Sequence, residues 1–503
     1  MERVRLAVLA MLLVAGGAAG QDEPRPDPEP STYVAPDPGA PDPDAPDPDA
    51  PDPESGPGPT PGAPTMRLAD AVRLALERNF SLLDSADSVA ASQWQVSAAR
   101  GRFLPQLVPI YQRGDDRSVF GIDFSQQLPW SGGTLTATGR YLSDPDADVP
   151  FPRTTDVRLI LSQPLLRGFG PNATYFELTN SRRARTGQER AFELARQRLA
   201  ILVASAFYNV VAQRQLLDVA RQSLRRTESL QRASDARLKV GMASKLDVFR
   251  AELQAAQARE AMVRSRAALE NALEQFRGLL ALPPDDPVEP EAAGLPEPSE
   301  QDVAPVGVLV ERALASRLEL METRDQVSDA ERSASLARQN LLPQIDLNVG
   351  VSQLGFGSSF GDAWAAGDRR VELFLSASYP LRRSTEKASR AVAEIEVTAR
   401  ERAVRQRELE IEQEVRAAAR ELDRIAKSVE LQEQALDVTV QQRRLAVLRY
   451  QRGLGSNFDV VDAEASLVVA RSALVGLLAS YAVARLELER ATGTLDVETE
   501  FRP

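Results

Sequence analysis

Two periods of apolar residues divide this chain. Leu199, Leu202, Ala206, Val210, Gln213, Leu217, Ala220 and Leu224 follow steps of three and four, as do Val415, Ala418, Leu422, Ile425 and Val429. This spacing predicts a coiled-coil seam with left-handed helix pairing. No proline interrupts residues 172–282 or 381–502, so two long helical hairpins can run unbroken. Their first arms, beginning after Pro171 and about Ser384, reach the order of 100 Å at ~1.5 Å per residue. Shorter helices are predicted from about Leu68 to Arg102 and from about Val306 to Asn340. Each ends at Leu-Pro-Gln, where proline and the restricted residue before it turn the chain to extended structure.

Between short helix and long hairpin the period falls to two. Ile345, Leu347, Val349 and Val351 alternate with Asp346, Asn348, Gly350 and Ser352, and Val371, Leu373, Leu375, Ala377 and Tyr379 alternate with Glu372, Phe374, Ser376 and Ser378. Phe120, Ile122 and Phe124, and then Leu135, Ala137 and Tyr141, do the same earlier in the chain. Such strands have one apolar face, as in a half-buried soluble sheet or the wall of a membrane barrel.

The whole order occurs twice. Arg237, Gly241, Ser244, Leu246, Asp247, Val248, Ala251 and Glu252 recur 212 positions later as Arg449, Gly453, Ser456, Phe458, Asp459, Val460, Ala463 and Glu464. Leu104-Pro105-Gln106-Leu107 recurs as Leu342-Pro343-Gln344-Ile345 at an offset of 238. The body is therefore a tandem duplication of helix, strands and long helical hairpin. The copies differ in strand room: Pro343 to Pro380 spans 37 residues, whereas Pro105 to Pro164 spans 59. The excess of 22 holds two more short strands around Pro129–Gly133. The pattern leaves open whether that hairpin joins the others.

At the hairpin tips, Gly241 and Gly453 stand where glycine ends a helix, and Ser244-x-x-Asp247 and Ser456-x-x-Asp459 are helix-capping sequences. Capping does not account for Asp462, one turn after Asp459 on the same face, where two carboxylates repel. Its first-copy counterpart is Arg250.

Composition removes most chemistry. With no histidine and no cysteine in 503 residues, the chain lacks the commonest general base, the thiol nucleophile and the usual transition-metal ligands. No cofactor, metal site or catalytic residue is expected. Residues 1–20, with Arg3 and Arg5 before an apolar run and Ala18-Ala19-Gly20 after it, read as a secretory signal too short for a spanning helix. Residues 21–65 form a Pro/Asp-rich spacer: positions 22–65 hold 16 prolines and 11 acidic residues against one arginine, most of the chain's net charge of −12. The remainder divides into a first repeat (66–283), a proline-rich linker (284–302), a second repeat (303–495) and a tail (496–503).

The signal, the Leu68-Ala69-Asp70-Ala71-Val72 opening, the paired Leu-Pro-Gln helix ends, the Gln163-Pro164-Leu165-Leu166-Arg167-Gly168 strand exit and both Gly-x-x-Ser-x-Leu/Phe-Asp-Val tips together resemble the TolC-type outer-membrane efflux protein family, over about residues 66–495. The resemblance implies a mainly α fold with a membrane β-barrel portion: a homotrimer combining an α-barrel in the periplasm with one shared β-barrel in the outer membrane. It implies no enzyme activity, and tips (Gly241, Ser244, Leu246, Gly453, Ser456, Phe458) that meet a periplasmic adaptor and an inner-membrane pump. It also implies rings of Asp459 and Asp462 at the closed tunnel end and a bond from Tyr450 to Asp247. A family arginine is replaced by Gly455, with Arg449 and Arg452 as stand-ins. The competing readings are a soluble periplasmic coiled-coil adaptor or scaffold and, more distantly, a carboxylate-based hydrolase.

Overall fold

The computed structural model describes residues 65–115, 117–144, 153–291, 294–299 and 304–501. All fall within one compact unit, Gly62–Pro503, and the signal and nearly all of the spacer lie outside them. In the first repeat, β1 (Thr65–Met66) leads to α1 (Leu68–Arg78), α2 (Phe80–Gly101), β2 (Gln106–Arg113), β3 (Ser118–Gln127), β4 (Thr134–Ser143) and β5 (Arg153–Pro164). A turn of helix, α3 (Pro171–Thr174), precedes α4 (Phe176–Lys239) and its return arm α5 (Lys245–Leu279). After β6 (Glu289–Pro290) the second repeat runs through α6 (Val306–Ser316), α7 (Leu318–Gln339), β7 (Gln344–Gly357), α8 (Phe360–Ala365), β8 (Asp368–Ser378), α9 (Ser384–Gln451), α10 (Asn457–Thr492) and α11 (Val497–Glu500).

The short first helix expected in each repeat is in fact two. Asn79 and Arg317 both adopt extended backbone, with ψ of 123° and 124°, and break the helix at equivalent places. The periodicity continues across the break, so the pattern alone does not reveal it. Asn79 Oδ1 accepts from the amides of Ser81 (3.1 Å) and Leu82 (3.4 Å), an N-cap that competes with helix continuation. Arg317 makes no such cap. Its side chain is 2% exposed and pairs with Glu319 (2.8 Å) and with Glu414 of α9.

The six longer strands form one antiparallel sheet in the order β2-β3-β4-β5-β7-β8. The extra first-repeat hairpin therefore lies in line with the rest. One row across the sheet reads Leu107, Phe124, Ala137, Leu159, Val351, Val371; its neighbour on the opposite face reads Val108, Asp123, Thr138, Arg158, Ser352, Arg370. Alternation puts apolar side chains on one face and a charged lattice on the other, with the pairs Arg140–Asp123 (3.5 Å), Arg158–Asp156 (3.0 Å) and Arg370–Asp368 (3.2 Å). At the end of the sheet away from the long helices, α8 folds onto the apolar face, Phe360 meeting Tyr141 edge-on at 5.4 Å. Gly355 permits this, since any Cβ there would collide with the Ala363 carbonyl.

The core lies where the long helices cross the short ones. Val72, Val203, Phe207, Val210 and Phe276 anchor it in the first repeat, and Leu320, Ile411, Val415, Leu422, Ile425 and Tyr481 in the second. The α9 seam is buried as its spacing predicts, apart from partly buried Ala418. On α4, Leu202 is an exception at 54% exposed. The two hairpins meet mainly through α4 and α10.

Arg317 ties α7 to α9, and its loss leaves Glu319 and Glu414 with only the longer contacts to Arg407, at 3.7 and 3.6 Å. Arg317→Ala is expected to cost about 2–3 kcal/mol, read as a lower melting temperature in detergent. Burial pushes the Glu319 carboxyl up, but hydrogen bonds from Arg317 and from its own amide, with the Arg317 and Arg407 charges, together outweigh it and hold the group below the usual carboxylate range. Its contribution is complete above the unfolded value of about 4.3 and is lost as pH falls through the lower folded value. The variant should accordingly lose less stability than the wild type between about pH 5 and 3.

Candidate functional site at the hairpin tips

The two tips are built alike. At the end of α4, Gly241 takes φ of +77°, and the amides of Gly241 and Met242 donate to the carbonyls of Leu238 (3.0 Å) and Arg237 (2.8 Å). At the end of α9, Gly453 takes φ of +73°, with Gly453 donating to Tyr450 (3.1 Å) and Leu454 to Arg449 (2.9 Å). Both are left-handed helix terminations that glycine adopts without a Cβ penalty. The next helices start with reciprocal caps. Ser244 Oγ accepts from the Asp247 amide (3.2 Å) and Asp247 Oδ2 from the Ser244 amide (3.2 Å); Ser456 and Asp459 repeat this at 3.3 and 3.0 Å. Asp247 and Asp459 thus act locally as caps.

Contacts between the tips are not duplicated. Asn457, 2% exposed, donates from Nδ2 to the Asp247 carbonyl at 2.7 Å and so pins the start of α10 to the start of α5. The Arg250 guanidinium sits 5.7 Å from the centre of the Phe458 ring. The Tyr450 hydroxyl pairs with Ser234 of α4 at 3.1 Å in a buried position, whereas the Asp247 carboxylate is held by Ser244; the structure does not bring Tyr450 and Asp247 into a bond. Arg237 covers the Tyr450 ring at 4.0 Å and donates to the Gln451 carbonyl at 3.3 Å. Tyr450 therefore fastens α9 to α4.

Further along the hairpin, buried Glu464 accepts from Arg226 of α4 and Arg443 of α9, both at 2.7 Å. Arg471 donates to Gln222 at 2.9 Å; burial first, and then the Arg226 and Arg443 charges, push its pKa below the usual arginine range. One carboxylate thus joins three helices among three arginines. A cavity of about 230 Å³ lined by Arg226, Tyr450 and Glu464 separates this cluster from the tip.

Asp459 and Asp462 are both exposed, and Asp462 makes no hydrogen bond among the described residues. Leu246 and Phe458 are more than half exposed, as are Met242 and Leu454, giving the tips an apolar surface. Gly455 has little room: a Cβ there would lie 3.2 Å from the Arg449 Cβ. The Arg449 and Arg452 side chains make no ion pair among the described residues. No cluster of metal-ligating residues occurs among the described residues. Sequence reasoning missed Ser234, Asn457 and the arginine partners of Glu464. Glu464 belongs to the duplicated motif, but its counterpart Glu252 is exposed, so the repeat conceals its role.

Residues 71–282 and 309–494 match the outer membrane efflux protein family. The chain belongs to that family. Its location is the outer membrane. It is 26% identical over 302 residues to the outer membrane efflux protein BepC of Brucella suis biovar 1 (strain 1330), an alignment covering 58% of this chain and 63% of BepC. CusC, solved in a study of folding and transmembrane channel formation, superposes with a TM-score of 0.67 at 19% identity, covering 85% of this chain and 92% of CusC. The outer membrane protein VceC of Vibrio cholerae gives 0.66 at 16% identity, with 85% and 96% covered. The open state of the MtrE outer membrane channel of Neisseria gonorrhoeae gives 0.65 at 18%, with 86% and 91% covered. These likenesses establish the fold: a helical portion with a β portion.

Tyr450→Phe removes only the pair with Ser234, worth about 1 kcal/mol. Amide exchange in the last turns of α9 should quicken roughly fivefold, with the sheet unchanged. Glu464→Gln, which strands two arginines, should quicken exchange along both α9 and α10 by a larger factor.

Proposed function

We propose that this chain is the outer-membrane duct of a tripartite export system: three copies share one barrel, their helices form a periplasmic tunnel, and substrate passes without a catalytic step. The observation that carries this reading is an interface made once within the chain and left bare where the duplication would repeat it. On α4, Gln222 and Arg226 engage Arg471 and Glu464 of α10. The positions 212 later on α9, Gln434 and Val438, lie exposed beside Leu431 and Leu445, with Leu431 65% and Val438 63% exposed. Leu431, Val438 and Leu445 are spaced by seven, a coiled-coil stripe left exposed among the described residues. The counterparts of Glu464 and Arg471 are Glu252 and Arg259 on α5, also exposed. A neighbouring copy's α5 on α9 would repeat the α4–α10 contact and continue the ring.

In that ring Asp459 and Asp462 of three copies bring six carboxylates towards one axis, where they repel one another and favour cations. The bonds at Tyr450, Asn457 and Glu464 offset that repulsion and hold the tip closed. A periplasmic adaptor contacts the apolar tip surface around Leu246 and Phe458, with the capped turns of Gly241, Ser244, Gly453 and Ser456 fixing its shape. Opening swings the α9–α10 hairpin off α4 once docking breaks those bonds.

Fractionation followed by gel mobility with and without heating in detergent tests the duct. The expected result is release only by detergent and a heat-labile trimer; a freely soluble protein would favour a periplasmic scaffold instead. Leu431→Glu with Val438→Glu should abolish the trimer band while helical content stays unchanged. Asp459→Ala with Asp462→Ala should lower single-channel cation selectivity, and unchanged selectivity would remove the aspartates from the gate.

A further inference from the structure

The sheet has two open edges. β2, of 8 residues, forms one and β8, of 11, the other, and β8 is exposed along its whole length. Each edge carries unpaired backbone groups, which lipid cannot satisfy, so a sheet in a membrane must close on itself. Six strands are too few, since the smallest membrane barrels have eight. The edges are nevertheless mutually compatible. Five successive antiparallel pairings leave β8 running opposite to β2. Leu107 and Tyr111 on β2 and Val371, Leu373 and Leu375 on β8 share the apolar face and are all exposed.

We infer that β8 of one copy pairs antiparallel with β2 of the next, and that three copies close a barrel of eighteen strands. The duplication sharpens the point. Two strands per repeat would give twelve in a trimer, but the first repeat contributes four, and the added pair lies within the sheet rather than beside it. With strands ~4.8 Å apart and tilted by roughly 40°, eighteen enclose a barrel about 35 Å across, against about 24 Å for twelve. A barrel of that size holds an aqueous channel lined by the charged face, including Asp123, Arg140, Asp156, Arg158 and Arg370. The constriction then falls at the helical tips, so the membrane portion admits larger cargo than a twelve-stranded wall passes.

This inference rests on the trimeric duct proposed above, and disulfide trapping separates the two. The chain has no cysteine, so introduced pairs report alone. Glu372→Cys on β8 is combined in turn with cysteine at Gln106, Val108, Ile110 or Gln112 on β2, all on the same face, in the full-length protein in its membrane. After oxidation, at least one pair should give covalent dimers and trimers that survive heating and vanish on reduction. Parallel pairs of Glu372→Cys with Thr136→Cys or Thr138→Cys on β4 should give none. Cross-linking to β4 instead, or none to β2 in a protein that still runs as a heat-labile trimer, would overturn the eighteen-stranded barrel and leave the duct standing. Recovery as a soluble monomer would overturn both.

Discussion

A helix of 64 or 68 residues must have its apolar stripe covered along its whole length, because helix propensity alone does not hold such an element against solvent. Every other feature of this protein answers that demand. The glycine turns fold α5 back along α4 and α10 along α9, covering one flank of each. Short helices α1, α2, α6 and α7 cover the ends nearer the sheet. The α4–α10 contact covers one remaining flank, and the matching flank of α9, with Leu431, Val438 and Leu445, is exposed.

Duplication made the two repeats alike in backbone and free to differ in side chains. The tip turns and caps are the same to within a few tenths of an ångström, because glycine and the serine–aspartate pair fix local geometry wherever they occur. The contacts between hairpins differ. Asn457 stands opposite Lys245, Tyr450 opposite Leu238, Asp462 opposite Arg250, and in each pair only one member joins the network that fastens α9–α10 to the first hairpin. Two equal hairpins would have to open together. In the proposed duct, the unequal pair would leave one as a frame and make the other the moving part.

What the sequence disclosed follows from the range of the forces involved. Strand alternation, the long helices, the tip turns and the capping boxes depend on residues close in the chain, and their spacing announces them. The breaks at Asn79 and Arg317 were hidden because apolar periodicity continues on both sides. The place of the extra hairpin depends on which strands pair, and β5 pairs with β7 across almost two hundred residues. Tyr450 was singled out, but its partner Ser234 lies on another helix with no pattern to mark it. Glu464 stood in plain view within the repeated motif, and only the fold distinguishes it from exposed Glu252.

The most direct test of the account is recording from the purified full-length protein in planar bilayers, comparing wild type with Tyr450→Phe and Glu464→Gln. A duct closed by these bonds predicts a small wild-type conductance that rises several-fold in both variants, more in the second. Equal conductance in all three, or no pore at all, would contradict it.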